Sequence, residues 1–203
     1  MPAKTRKTAT KPDGWSAARQ HLANWDKPAL LALVKDLYDS SAVNRDFIHA
    51  RCEGAGGGGA VLETYRRKII GQFFSKSFIG NGPLKLGEAR KAIRDYRKAT
   101  GNLAGTVELL MTYVENGTEF TRQYGDINER FYNSLESALD ELAGLLRGKA
   151  RETYPEVSER LATLEMKAGG IGWGYGDRVF EVVEDLKDEL SPPIIDLALQ
   201  SLA

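Results

Sequence analysis

The chain has 203 residues, with 28 Lys plus Arg against 28 Asp plus Glu, one cysteine and two histidines. At this length a hydrophobic core suffices without a metal or disulfide staple; the lone cysteine excludes an internal disulfide and a multi-cysteine zinc site, and two histidines exclude a histidine-rich metal centre. No apolar run approaches the roughly 18 residues of a membrane span, and the basic N-terminus lacks the apolar stretch of a secretory signal, so the expected compartment is the cytoplasm.

Residues 1–14, with Lys4, Arg6, Lys7 and Lys11, read as a disordered basic arm, and 15–203 as a single helical domain. Asp26 before Lys27-Pro28 predicts an N-cap with an early-turn proline. Leu30, Leu31, Val34, Leu37 and Tyr38 then recur at helical spacing. Ser40-Ser41 is placed to cap a short helix carrying Val43 and Phe47. The glycine run at 54–59 predicts a flexible linker. The next helix carries Leu62, Tyr65, Ile69 and Phe73, and Asn81-Gly82-Pro83 is a turn. A helix from about Glu88 to Ala99 is expected to bury Ala89, Ile93 and Tyr96 and to stop near Gly101.

Two long helices follow. One aligns Leu103, Val107, Leu110, Met111 and Val114, with Phe120 and Tyr124 beyond. The other starts near Asp126 and aligns Phe131, Leu135, Ala138, Leu142 and Leu145. The short connection predicts antiparallel packing. Thr153, Pro155 and Glu156 predict a capping box for the next helix, Asp177 a cap for the one after the glycine loop at 169–176, and Ser191-Pro192-Pro193 the start of a short last helix. No period-2 alternation supports a sheet. The predicted fold is all-α, with about eight or nine helices in consecutive antiparallel pairs, globular or short and solenoid-like; no fixed-period repeat is visible.

Zero net charge hides an asymmetry. Residues 1–100 carry 19 Lys plus Arg against 9 Asp plus Glu, and residues 101–203 carry the reverse. Either the halves attract each other within the fold, or the basic half faces an anionic partner. The helix near 88–99 puts Arg90, Arg94, Arg97 and Lys98 on adjoining stripes, a candidate anion-binding face. It has no interleaved aromatics and belongs to no named nucleic-acid motif, so nucleic acid is a possible but unfavoured partner.

The run Gly54–Gly59 formally matches G-x-G-x-x-G but follows a helix rather than a strand, which argues against a dinucleotide site. Asp46, His49 and Cys52 follow one another at three-residue steps and spread round a third of a helix, a poor catalytic arrangement. Glu115 and Glu119 share one helical face, and Glu129, Asn133 and Glu136 share another on the following helix. Facing carboxylates on paired helices suggest a metal bundle, but no histidine follows His49 to complete it. Asp126, Asn128 and Tyr132 complete this polar cluster as candidate ligand- or partner-binding residues. Asp126 with Glu129 also reads as an acidic capping box. Trp173, Tyr175 and Asp177 form a second candidate site, in a turn that enters a helix N-terminus. The plainer reading of that turn, and the favoured one, has Trp173 plugging the core.

The stretches ALLALVKDLYDSSAVNRDFIHAR, LGEARKAIRDYRKATGN, YVENGTEFTRQYGDINERFYNSLES and GIGWGYGD resemble a bacterial family of unknown function over roughly residues 25–186. The resemblance implies a cytoplasmic helical protein without an established activity. It marks residues 125–136 and 172–177 as signature stretches and attaches no chemistry to them. The basic arm and the glycine run depart from that pattern. Taken together, the sequence predicts a non-catalytic helical scaffold that binds a protein partner, with no cofactor and no metal. The alternative is a ligand-binding protein or enzyme using the cluster Glu115, Glu119, Asn133 and Glu136.

Overall fold

Helical periodicity without strand alternation produces an all-helical chain. The computed structural model describes residues 14–53, 59–74 and 84–191. The basic arm to residue 13, the glycine run to Gly58, the Asn81–Pro83 turn and the helix expected after Ser191 lie outside the described residues. Among the described residues there are nine α-helices and one 3-10 turn, and no strand. The helices are α1 Trp15–Leu22, α2 Lys27–Ser40, α3 Ala42–Glu53, α4 Gly59–Phe73, α5 Leu86–Thr100, α6 Leu103–Tyr124, α7 Glu129–Arg147, α8 Tyr154–Ala168 and α9 Tyr175–Leu190. The chain divides into two compact units, with the boundary between Ile48 and His49.

The first unit holds α1, α2 and the start of α3. Asp26 caps α2, its Oδ1 accepting the Ala29 N–H at 2.8 Å. Ser41 Oγ accepts the Asn44 N–H at the start of α3, and the Asn44 amide reaches back to the Leu37 carbonyl and Ser40 Oγ. No residue of α1 or α2 is buried; the stripe Leu30, Leu31, Val34 and Leu37 is exposed.

In the second unit the helices from α4 to α9 form three hairpins stacked in two layers. Side-chain pairs give the directions. Tyr113 meets Ser134 and Thr121 meets Tyr132, so α6 and α7 run antiparallel. Arg160 meets Glu108 and Glu115 while Lys167 meets Glu119, so α8 runs parallel to α6. Arg66 against Glu108 and Phe73 against Phe120 make α4 parallel to α6 as well. Tyr96 lies over Gly105 and Arg90 over Tyr113, which sets α5 antiparallel to α6. Arg178 on Asp140 and Arg147 on Glu189 make α9 parallel to α7. One layer is therefore α4, α6 and α8; the other is α5, α7 and α9, all reversed.

The α5 face is as the periodicity predicts: Ala89, Ile93 and Tyr96 are buried and Gly101 ends the helix with φ 67°. Three helix starts differ from expectation. Asn128, not Asp126, caps α7, its Oδ1 accepting the Phe131 N–H at 3.0 Å. Thr153 occupies the cap position of α8, with Pro155 in the first turn, but makes no side-chain capping bond; it also closes a 3-10 turn, Arg151–Thr153, and its hydroxyl donates to the Ala150 carbonyl. Asp177 lies in the first turn of α9, whose cap position is Gly174 in the left-handed region at φ 75°. At α7 a residue nearer the first turn takes the capping bond; α8 and α9 begin without a side-chain cap bond.

The α6–α7 crossing depends on a small residue. A Cβ at Gly117 would lie 2.2 Å from Leu135 Cδ2, so the buried Leu135 side chain sits directly on the glycine and would have to shift for any larger residue. Gly117→Ala should destabilise the fold by about 1–3 kcal/mol through overpacking, measured as a lowered urea midpoint with unchanged slope.

Candidate functional site

The carboxylates of α6 lie on one stripe. Glu108, Glu115 and Glu119 recur at seven- and four-residue steps, nearly eclipsed on a 3.6-residue helix. Cations from both neighbouring helices meet this stripe. Arg160 of α8 grips Glu115 through two bonds, Nε–Oε1 at 2.8 Å and Nη2–Oε2 at 2.6 Å. Its third nitrogen reaches Glu108 at 2.5 Å. Glu108 also accepts from Arg66 of α4 at 2.6 Å, and Arg66 bonds Glu63 at 3.0 Å. Lys167 stands 3.7 Å from Glu119. The hydrogen bonds of Glu115 and Glu108 hold the Arg160 guanidinium protonated well above its ordinary value, against the opposing effect of burial. A cavity of about 260 Å³ lies along this groove, lined by Glu115, Asn116, Glu119, Arg160, Thr163, Leu164 and Lys167. Glu115 and Glu119 thus face α8. Asn133 is exposed on α7 and Glu136 is half-buried, near enough to Tyr175 to help raise its phenol pKa. The four groups expected to converge between α6 and α7 are divided between two sides.

On the basic helix α5, one acidic residue of α7 holds two arginines. Glu141 accepts from Arg90 at 2.9 Å and from Arg97 at 3.4 Å. Arg90 also lies over the Tyr113 ring, 5.7 Å from its centroid, and its buried Nη1 has no hydrogen-bond partner. Arg94 and Lys98 are exposed. Arg51 donates to the Lys98 and Ala99 carbonyls at the end of α5.

The two signature stretches, more than thirty residues apart in the chain, meet in space. Tyr132 and Tyr175 are buried, with ring centroids 5.7 Å apart. Trp173 stacks on Tyr132 at 6.3 Å with 22° between the rings, and stays 58% exposed. The residue that plugs the core here is therefore Tyr175, not Trp173. Gly172 passes beside Asp126; a Cβ there would lie 3.4 Å from Oδ2. A Cβ at Gly176 would lie 2.7 Å from the Ala168 carbonyl, so glycine lets α9 start hard against the end of α8. Trp173 itself has φ 62°, the one positive φ outside glycine among the described residues, and this costs a bulky L-residue on the order of 1–2 kcal/mol.

The tyrosine hydroxyls are anchored on α6. Tyr132 Oη lies 3.0 Å from Asp126 Oδ1 and 2.7 Å from Thr121 Oγ1. An ionised carboxylate only accepts, so Tyr132 donates to Asp126; the Thr121 hydroxyl lies between the Tyr132 oxygen and the Gly125 carbonyl, 3.1 Å away, to which it donates. Thr118 donates to the Val114 carbonyl at 2.8 Å, so the Tyr175 hydroxyl, 2.7 Å away, donates to Thr118. Sequence reading missed Thr118 and Thr121. The available signal was their place as hydroxyl residues inside an otherwise apolar helix, where they need partners. Of the other candidates, Asn128 serves as a cap, while Asp126 and Asp177 are exposed. Among the described residues no group of three or more His, Cys, Asp or Glu is placed to hold a metal ion, and no helix is long and apolar enough to cross a membrane.

No family model matches the chain, and no solved structure matches it. Over 153 residues it is 29% identical to a glutamine-hydrolysing GMP synthase of Mycolicibacterium paratuberculosis. The match takes in 68% of this chain and spans 29% of that enzyme's length.

Burial raises the phenol pKa of Tyr113, Tyr132 and Tyr175. A raised folded pKa means that the folded state keeps its protons longer than the unfolded one. Stability is then fully present below about pH 10 and falls above it. Absorbance at 295 nm should show these tyrosines ionising only as the fold is lost at alkaline pH. Tyr132→Phe removes the hydroxyl's contacts with Asp126 and Thr121, at a cost of about 1–2 kcal/mol in urea unfolding.

Proposed function

We propose that the protein is a non-catalytic helical scaffold of the cytoplasm that binds a protein partner through Trp173 and the surface around it. The observation that carries this reading is a large aromatic side chain held outside the core. Trp173 is 58% exposed, yet it is braced on the buried Tyr132 ring and fixed in a costly backbone conformation. A tryptophan needed only for packing would gain more by turning inward. Exposed tryptophans on rigid supports are the residues that dominate interface energies, because little entropy remains to be lost on binding. The family likeness of residues 125–136 and 172–177 enters this proposal, since those segments build the brace. The reaction named for the GMP synthase relative is not carried over. Glu115 and Glu119, the carboxylates of the alternative enzyme reading, are engaged by Arg160 and Lys167.

The test is a paired variant. Trp173→Ala should leave the thermal midpoint within a few degrees of the parent and weaken partner capture from the native host by about 30-fold. Glu152→Gln, at the opposite end of the hairpins, should leave capture unchanged. Undiminished capture by Trp173→Ala would remove the reading.

A further inference from the structure

The site also indicates what the partner brings to it. We infer that the partner presents an arginine or lysine side chain to the outer face of Trp173, an inference that rests on the binding role proposed above. One face of the indole covers Tyr132, and the side chain remains 58% exposed. An indole face carries the negative end of the ring quadrupole and is the strongest aromatic acceptor for a cation.

The charges around it have the matching sign. Asp126 accepts the Tyr132 phenol through Oδ1, and its Oδ2 lies beside Gly172, the residue before Trp173. Glu129 precedes Tyr132 by three residues, on the same side of α7. Neither Asp126 nor Glu129 is paired with a cation among the described residues. Several other acids of α7 and α9 are paired: Arg178 takes Asp140 and Glu181, and Glu141 holds Arg90 and Arg97. Nearby cations are turned to other work. Arg122 donates to the Lys167 carbonyl, and Arg130 falls on the far side of α7 from Tyr132 by helical position. An exposed indole face with Asp126 beside its turn, unpaired with any cation among the described residues, fits a guanidinium or ammonium group better than an anionic one.

The test uses the full chain carrying Trp15→Phe and Trp25→Phe, so that Trp173 is the remaining tryptophan of the three. The probe is a capped Gly-Ser peptide with two arginines; the same peptide with glutamine or glutamate in their place serves as comparison. The arginine peptide should change the Trp173 emission saturably, and the other two should not. Asp126→Asn keeps an acceptor for Tyr132 and removes the charge; it should weaken binding about fivefold. Glu152→Gln should have no effect. Equal binding of the glutamine peptide, or an equal loss in Glu152→Gln, would overturn the inference. So would the absence of any response to the arginine peptide. If Trp173→Ala loses the native partner while the arginine peptide fails to bind, the inference falls and the scaffold reading stands. If Trp173→Ala keeps the partner, the scaffold reading itself falls.

Discussion

The organisation of the second unit depends on α6, a helix with almost no outer face. Its apolar residues are not confined to a stripe: Val107, Leu109, Leu110, Met111, Tyr113, Val114 and Phe120 are all buried and point in different directions. Apart from its carboxylate stripe the helix is apolar on most sides, and such a helix is stable only when it is surrounded. Here α4 and α8 flank it within its own layer while α5 and α7 close it from the other. Its four threonines in the core, Thr106, Thr112, Thr118 and Thr121, are satisfied without water. The first three bond the carbonyl four residues back, and Thr118 and Thr121 also meet tyrosines of α9 and α7. The brace beneath Trp173 is thus a by-product of burying α6: its hydroxyls need partners, and the tyrosines supply them.

Part of the charge asymmetry of the chain is met within the fold. Glu108 of the acidic half meets Arg66 of the basic half, and Glu141 meets Arg90 and Arg97. These contacts join the halves across α4–α6 and α5–α7, which is the intramolecular reading of the +10 and −10 segments. Each half-exposed pair contributes on the order of 0–1 kcal/mol. They matter more as register marks: a carboxylate stripe on α6 can be matched by Arg66 and Arg160 in few relative positions of the layers. Arg90 differs in kind, since its guanidinium is mostly covered and packs on Tyr113. Arg94 and Lys98 stay in solvent.

Much of the helical content was legible because amphipathic helices advertise themselves. The α5 face, the Asp26 cap and the stop at Gly101 follow from spacing and from single residues whose chemistry is local. Reading failed where two local solutions compete. Asp126 looked like a cap, but Asn128 is closer to the first turn of α7, and this frees Asp126 to hold Tyr132. For α6 periodicity marked one face, because a helix buried on several sides has no preferred one to mark. The stacking of three hairpins was also hidden. Structural repetition here needs only that each layer bury the next, and that condition is met by unlike side chains at unequal spacing.

The meeting of the two signature stretches could not be read from their spacing, since it depends on how α7 and α9 pack side by side. The tryptophan turn shows why the favoured reading failed. Two aromatics sit two residues apart around Gly174, and only one can enter the space between α6, α7 and α9. Tyr175 enters, and its hydroxyl meets Thr118 at the bottom. Once α9 begins at Tyr175, the left-handed Gly174 and the close approach of Gly176 to α8 fix the path of the turn. Trp173 is then carried to the rim at φ 62°, above Tyr132 and beside Asp126. The core has selected Tyr175, and the same choice leaves the larger aromatic outside, rigid and next to an acid.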